Sequence, residues 1–99
     1  MKLSRDQADS LKKILAHQID NDLPDNMAES LIRDLLIRVF KKIRNRLEAF
    51  PRSGYSIILS SEEAKAFYLY FSEFWFEDDL IYERVLIEER MADINKLYA

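Results

Sequence analysis

The sequence predicts an all-α fold, a compact bundle of about four helices with a short extended segment, a possible single β-strand, near residues 55–59. Three observations carry this. The 99 residues include one glycine and two prolines, the residues that punctuate helices, so the composition suits helices with short connections. Apolar residues recur at i, i+3 and i+4 over long stretches, the spacing of one helix face. The capping-box pattern, a serine with Gln or Glu three residues later, occurs twice, each time just ahead of such a stretch. A chain of this length makes one domain, residues 1–99, with a stability of only about 5–15 kcal/mol. Its 48% apolar and 12% aromatic content supplies a core and argues against disorder.

The first helix is expected to start at Ser4, whose hydroxyl pairs with Gln7 in the first capping box. Ala8, Leu11, Ile14, Leu15, Gln18 and Ile19 share one face, and Asp20-Asn21-Asp22 with Leu23-Pro24 ends it. A second helix runs from about Pro24 or Met27 to about Ala49, with Ala28, Ile32, Leu35, Leu36, Val39, Phe40, Ile43 and Leu47 as its core stripe. Pro51 and Gly54 punctuate the stretch beyond this helix. Residues 55–59 alternate, with Tyr55, Ile57 and Leu59 on one side and Ser56 and Ile58 on the other, which suits a short strand. A lone strand has no partner for its backbone groups. It is therefore either plain extended chain, or paired with residues 50–52, or paired with its own copy in another subunit. Ser60 and Glu63 open a third helix at Ser61 that runs to about Phe76. Asp78 or Asp79 caps a fourth that runs to about Leu97. A single bent helix from Ser61 to Leu97 is the alternative.

On the third helix Ala64, Phe67, Tyr68, Phe71, Phe74 and Trp75 fall on one face and are assigned to the core. Leu69 and Phe76 lie nearly opposite. On the fourth, Leu80, Ile87, Met91, Ile94 and Tyr98 form one stripe, Ile81, Val85 and Ala92 another, and Leu86 and Leu97 belong to neither. So many apolar positions exceed what four short helices can cover, and uncovered apolar surface marks interaction sites. The expectation is a non-enzymatic protein–protein interaction or assembly module, a homodimer or a subunit of a larger assembly, with Leu69, Phe76, Leu86, Ile87, Tyr55 and Ile57 as interface residues. A compact monomer with the third helix fully central is the plainer possibility.

The net charge of −3 conceals an asymmetry: residues 31–54 carry seven Lys/Arg against two Asp/Glu, and residues 60–99 four against ten. The second helix holds Arg33, Arg38, Lys41, Lys42, Arg44 and Arg46. Of these, Arg38, Lys41, Lys42 and Arg46 are the candidates for contact with nucleic acid phosphates, the alternative function being a small nucleic-acid-binding or regulatory protein. Any solvated helix face looks similar, and cations favour a helix C-terminus anyway. The same face could instead dock on the acidic surface of Glu83, Glu88, Glu89 and Asp93 in a partner.

Candidates for chemistry are thin. There is no cysteine, so disulfides, thiolate metal sites and cysteine nucleophiles drop out. His17, the single histidine, has Asp20 three residues on, but two ligands do not close a metal shell. The carboxylates from Glu62 to Asp93 lack the Glu-x-x-His spacing of bundle di-metal sites. Ser53-Gly54-Tyr55 matches neither a nucleophile elbow nor a phosphate loop. No cofactor or metal is expected, and no enzymatic activity. No apolar run comes after Met1 and none reaches the roughly 18 residues of a membrane span, so a soluble, cytoplasmic protein without membrane contact is expected.

Overall fold

The computed structural model describes residues 1–49 and 55–98. In chain order its elements are β1 (Lys2–Leu3), α1 (Arg5–Asn21), α2 (Met27–Glu48), β2 (Tyr55–Ser56), α3 (Ser61–Ser72) and α4 (Ile81–Tyr98). Of the described residues 74% are helical, and they form a compact all-α bundle of four helices with a two-stranded antiparallel sheet. Its radius of gyration of 13.0 Å is that of a compact domain of about 100 residues.

Both capping boxes form. The Ser4 hydroxyl accepts from the Gln7 amide while the Gln7 side chain accepts from the Ser4 amide. Ser60 and Glu63 do the same for α3. Asn26 caps α2 by accepting from the Glu29 amide. Each cap satisfies donors that a helix start leaves orphaned.

α2 is the spine, packing against α1 on one side and α3 on the other; α4 closes the bundle over α3 and α1. The predicted stripes meet in one core of Ala8, Leu11, Leu15, Leu36, Val39, Ile43, Ala64, Phe67 and Phe71. Ala28, expected in the α2 stripe, is exposed, as are its neighbours Met27 and Glu29 in the first turn of α2, and the buried stripe starts further along at Leu36.

The extended segment is not plain extended chain, and the partner it takes among the described residues is one the sequence did not suggest. It pairs antiparallel with β1, Leu3 opposite Tyr55 and Lys2 opposite Ser56. Met1 and Ile57 extend the ladder, the Ile57 amide donating to the Met1 carbonyl at 2.8 Å and the Met1 nitrogen to the Ile57 carbonyl at 2.9 Å. Alternation holds: Tyr55 and Ile57 point into the core while Ser56 and Ile58 are exposed. The alternative pairing with residues 50–52, the Pro51 and Gly54 punctuation and the Ser53-Gly54 motif lie outside the described residues. α3 and α4 are separate helices, since α3 ends at Ser72 and the chain turns through residues 73–80 before Ile81. Asp78 and Asp79 sit in that turn rather than at the cap position; the Leu80 carbonyl accepts the first bond of α4, from the Arg84 amide.

Candidate interaction surfaces

The early end of α3 redistributes the aromatic run. Had the helix continued to Phe76, Trp75 would share the core face. Instead the Ser72 hydroxyl turns back to the Leu69 carbonyl at 2.8 Å, and the Phe74 amide bonds the Phe71 carbonyl. Side chains after Ser72 therefore no longer obey the helical wheel. Phe74 and Phe76 fold back over the end of the core, their rings 4.7 Å apart edge to face, with Phe71 and Phe74 at 5.6 Å. Trp75 is left 82% exposed, which corrects its assignment to the core.

The six expected interface residues divide. Leu69 is 56% exposed. Phe76 is half-buried against Phe74. Leu86, Ile87, Tyr55 and Ile57 are 1–3% exposed, inside the core of the single chain, so their side chains present nothing to a partner. For Tyr55 and Ile57 the reason is the β1 pairing, which turns that face of the segment inward. For Leu86 and Ile87 it is that α4 sits against both α3 and α1, burying a broader arc than one helix contact would.

On the α3–α4 side the exposed apolar residues include Ile81 and Val85 on the outer face of α4, Leu97 and Tyr98 at its end, Leu69 on α3, and Trp75 between the two helices; Leu23, Met27, Leu31 and Ile58 are exposed elsewhere. Ile81, Val85 and Ala92 make up the second stripe that the sequence predicts, and all three are exposed. Between the helices Tyr68, Leu69, Ile94 and Tyr98 line an apolar groove of about 270 Å3, and the Lys65 ammonium lies 5.5 Å from the Tyr98 ring centroid. Such cation–π contacts are weak when exposed.

The basic helix is only partly free. Lys42, predicted to face solvent opposite the core, leans onto the start of α3 and donates to the Ile58 carbonyl at 2.9 Å and to the Glu63 carboxylate. Glu63 is buried, and burial raises its carboxyl pKa. The hydrogen bonds from the Lys42 ammonium and the Ser60 amide outweigh that, holding the group below the usual glutamate range. Arg33 donates twice to the Ile19 carbonyl, and Arg44 lies near Glu48 and the Phe40 ring. Arg38, Lys41 and Arg46 are exposed and have no hydrogen bond or ion pair among the described residues. On α4, Glu88 faces Arg84 at 4.0 Å, and Glu89 and Asp93 face Arg90 at 3.4 and 3.7 Å. The acidic surface is thus partly neutralised from within its own helix.

A second concave site lies where the C-terminal ends of α1 and α3 meet the start of α2. Ile19, Ile32 and Phe74 floor a cavity of about 230 Å3 with Asp22, Leu23, Glu29 and Glu73 at its edge. Tyr70, not singled out in the sequence, spans it: its phenol oxygen is 2.6 Å from Asp22 Oδ2 and 3.0 Å from Gln18 Oε1. One phenol hydrogen serves one acceptor at a time, and the nearer carboxylate holds it. Burial and the Asp22 charge push the Tyr70 pKa well above the ordinary phenol value.

His17 is exposed, with Asn21 Nδ2 3.2 Å from its Nδ1. Among the described residues no cluster of three or more His, Cys, Asp or Glu is placed to hold a metal ion, and no helix is long and apolar enough to cross a membrane. Compared with protein-family models, curated proteins and solved structures, the chain matches none.

Proposed function

We propose that this chain is a non-enzymatic protein–protein interaction module, a single cytoplasmic domain that self-associates as a twofold dimer or within a larger assembly. The surface is the outer side of α4 with the α3–α4 groove beside it. The observation that carries the reading is that α4 bears apolar residues on two opposite sides: Leu86, Ile87 and Ile94 point inward, while Ile81 and Val85 on the other side, flanked by Glu88 and Glu89, remain 59% and 43% exposed. A helix covered on one side only has a polar outer face; one that is apolar on both sides is built to be covered twice. Closed cyclic dimers are the commonest way for a chain to cover such a face with itself.

Light scattering at micromolar concentration tests this. The expected mass is twice the 11.8 kDa of the chain. Val85→Glu should return it to a monomer with unchanged helical circular dichroism, since Val85 is outside the core. A native chain that stays at the monomer mass across the concentration range overturns the reading.

The alternative, a nucleic-acid-binding or regulatory protein using α2, is supported by the unpaired charges of Arg38, Lys41 and Arg46. It predicts binding to oligonucleotides at low salt that falls steeply as salt rises. Absence of binding at low salt removes it.

A further inference from the structure

We propose that the cavity between the C-terminal ends of α1 and α3 and the start of α2 docks a basic amphipathic segment of a partner protein, one apolar side chain entering the cavity and flanking Lys or Arg side chains meeting its acidic edge. The site is distinct from the self-association surface, with Leu69 on the ridge between them.

Charge segregation is the first support. Residues 14–32 and 66–83 contain no Lys or Arg, and the fold brings both stretches to the same end of the bundle, where Tyr70 reaches Gln18 and Asp22. They carry four carboxylates from Asp20 to Glu29 and five from Glu73 to Glu83. Arg33 is the cation that lines the cavity among the described residues, and its guanidinium is bound to the Ile19 carbonyl. One end of the molecule is therefore acidic, a field that attracts and orients a cationic partner.

Charge alone does not explain the apolar floor, and here size selects the occupant. About 230 Å3 falls below the roughly 300–1,000 Å3 of small-molecule pockets, but it accommodates an anchoring side chain. Leu23 and Leu69, both well exposed at its border, extend the apolar contact.

The test uses the full chain and a labelled synthetic helix of Leu and Lys at amphipathic spacing, read by fluorescence anisotropy and amide chemical shifts. The Leu–Lys peptide should bind and shift Leu23, Leu69, Tyr70 and Phe74. Replacing its Leu by Ser, or its Lys by Glu, should weaken binding by about tenfold or more, as should the double variant Glu29→Gln, Glu73→Gln in the protein. Both protein positions are exposed, so the fold is retained. The same titration in the Val85→Glu background, expected to be unaffected, keeps docking separate from self-association. Equal binding of the Lys–Ser peptide, an unchanged affinity of the double variant, or shifts confined to the outer face of α4 would overturn the proposal. So would concentration-dependent shifts of the cavity residues without peptide, which would assign the site to a second copy.

Discussion

Replacing Lys42 by Met tests the ion pair that fastens α2 to the start of α3. The Glu63 side chain is 5% exposed and that of Lys42 41%, so the pair is buried at one end only. In Lys42→Met the carboxylate keeps the Ser60 amide, at 2.8 Å, but loses its counter-charge. A fully buried pair broken on one side costs about 3–5 kcal/mol, and a charge-assisted hydrogen bond about 1.5–3 kcal/mol. With solvent reaching the lysine end, the expected loss is about 2 kcal/mol, or roughly 8–16 °C in Tm for a chain of this size. Glu63→Gln should cost about half as much, because the amide oxygen still accepts from Ser60 and the freed ammonium can turn to water. Chemical denaturation of both single variants and the double variant isolates the coupling, expected at about 1 kcal/mol. The pH dependence has a definite sign. The folded carboxyl is held below its unfolded pKa, so the pair's stabilisation is present above the unfolded value of about 4.3. It is lost as pH falls through the folded one. The gap between native chain and Lys42→Met should therefore close in acid. A loss under about 0.5 kcal/mol at neutral pH, within the range of ordinary surface substitutions, or a gap that ignores pH would refute the reasoning.

The packing dictates two further outcomes. Tyr70 has a folded pKa above its unfolded value, so its contribution is complete below about pH 10 and lost as pH rises beyond it; Tyr70→Phe should lower stability at neutral pH, with the difference from the native chain shrinking in alkaline denaturation series. Ile87→Ala should cost about 2–5 kcal/mol by opening a core cavity, while Leu69→Ala, at a position 56% exposed, should stay within about 0.5–1 kcal/mol; equal losses in a denaturant titration would contradict the division between core and surface residues.

The helices are legible in the sequence because their signals are local. Ser4 with Gln7 and Ser60 with Glu63 mark helix starts within four residues, and the stripes of α1 and α2 come from their own period. The features that escape a sequence reading depend on partners far along the chain. Lys2 and Leu3 are too few to show strand alternation, so nothing marks them as the partner of Tyr55 and Ser56. Lys42 carries the same wheel angle whether it ends in water or on Glu63, and only the placement of α3 decides. Trp75 is misplaced because a helical wheel holds only while the helix does; the aromatic-rich run through Phe76 contains no Gly or Pro to announce that α3 stops at Ser72. Among the interaction candidates, the excess of apolar positions on α4 is visible in the sequence, but its division between inside and outside is not. Leu86 and Ile87 look like contacts because a wheel gives angles without saying how many neighbours a helix has.

The ladder between residues 1–3 and residues 55–57 bears on the order in which the chain can assemble. α1, α2 and α3 meet through neighbours in sequence, the kind of contact that lets helical bundles fold in microseconds to milliseconds. The first residues must wait: Met1 for Ile57, 56 positions on, and the Lys2 carbonyl for the Arg90 guanidinium, 88 positions on and 2.9 Å away. β1 is thus fastened in two stages: the ladder requires β2, and the Arg90 bond to the Lys2 carbonyl requires α4 in place.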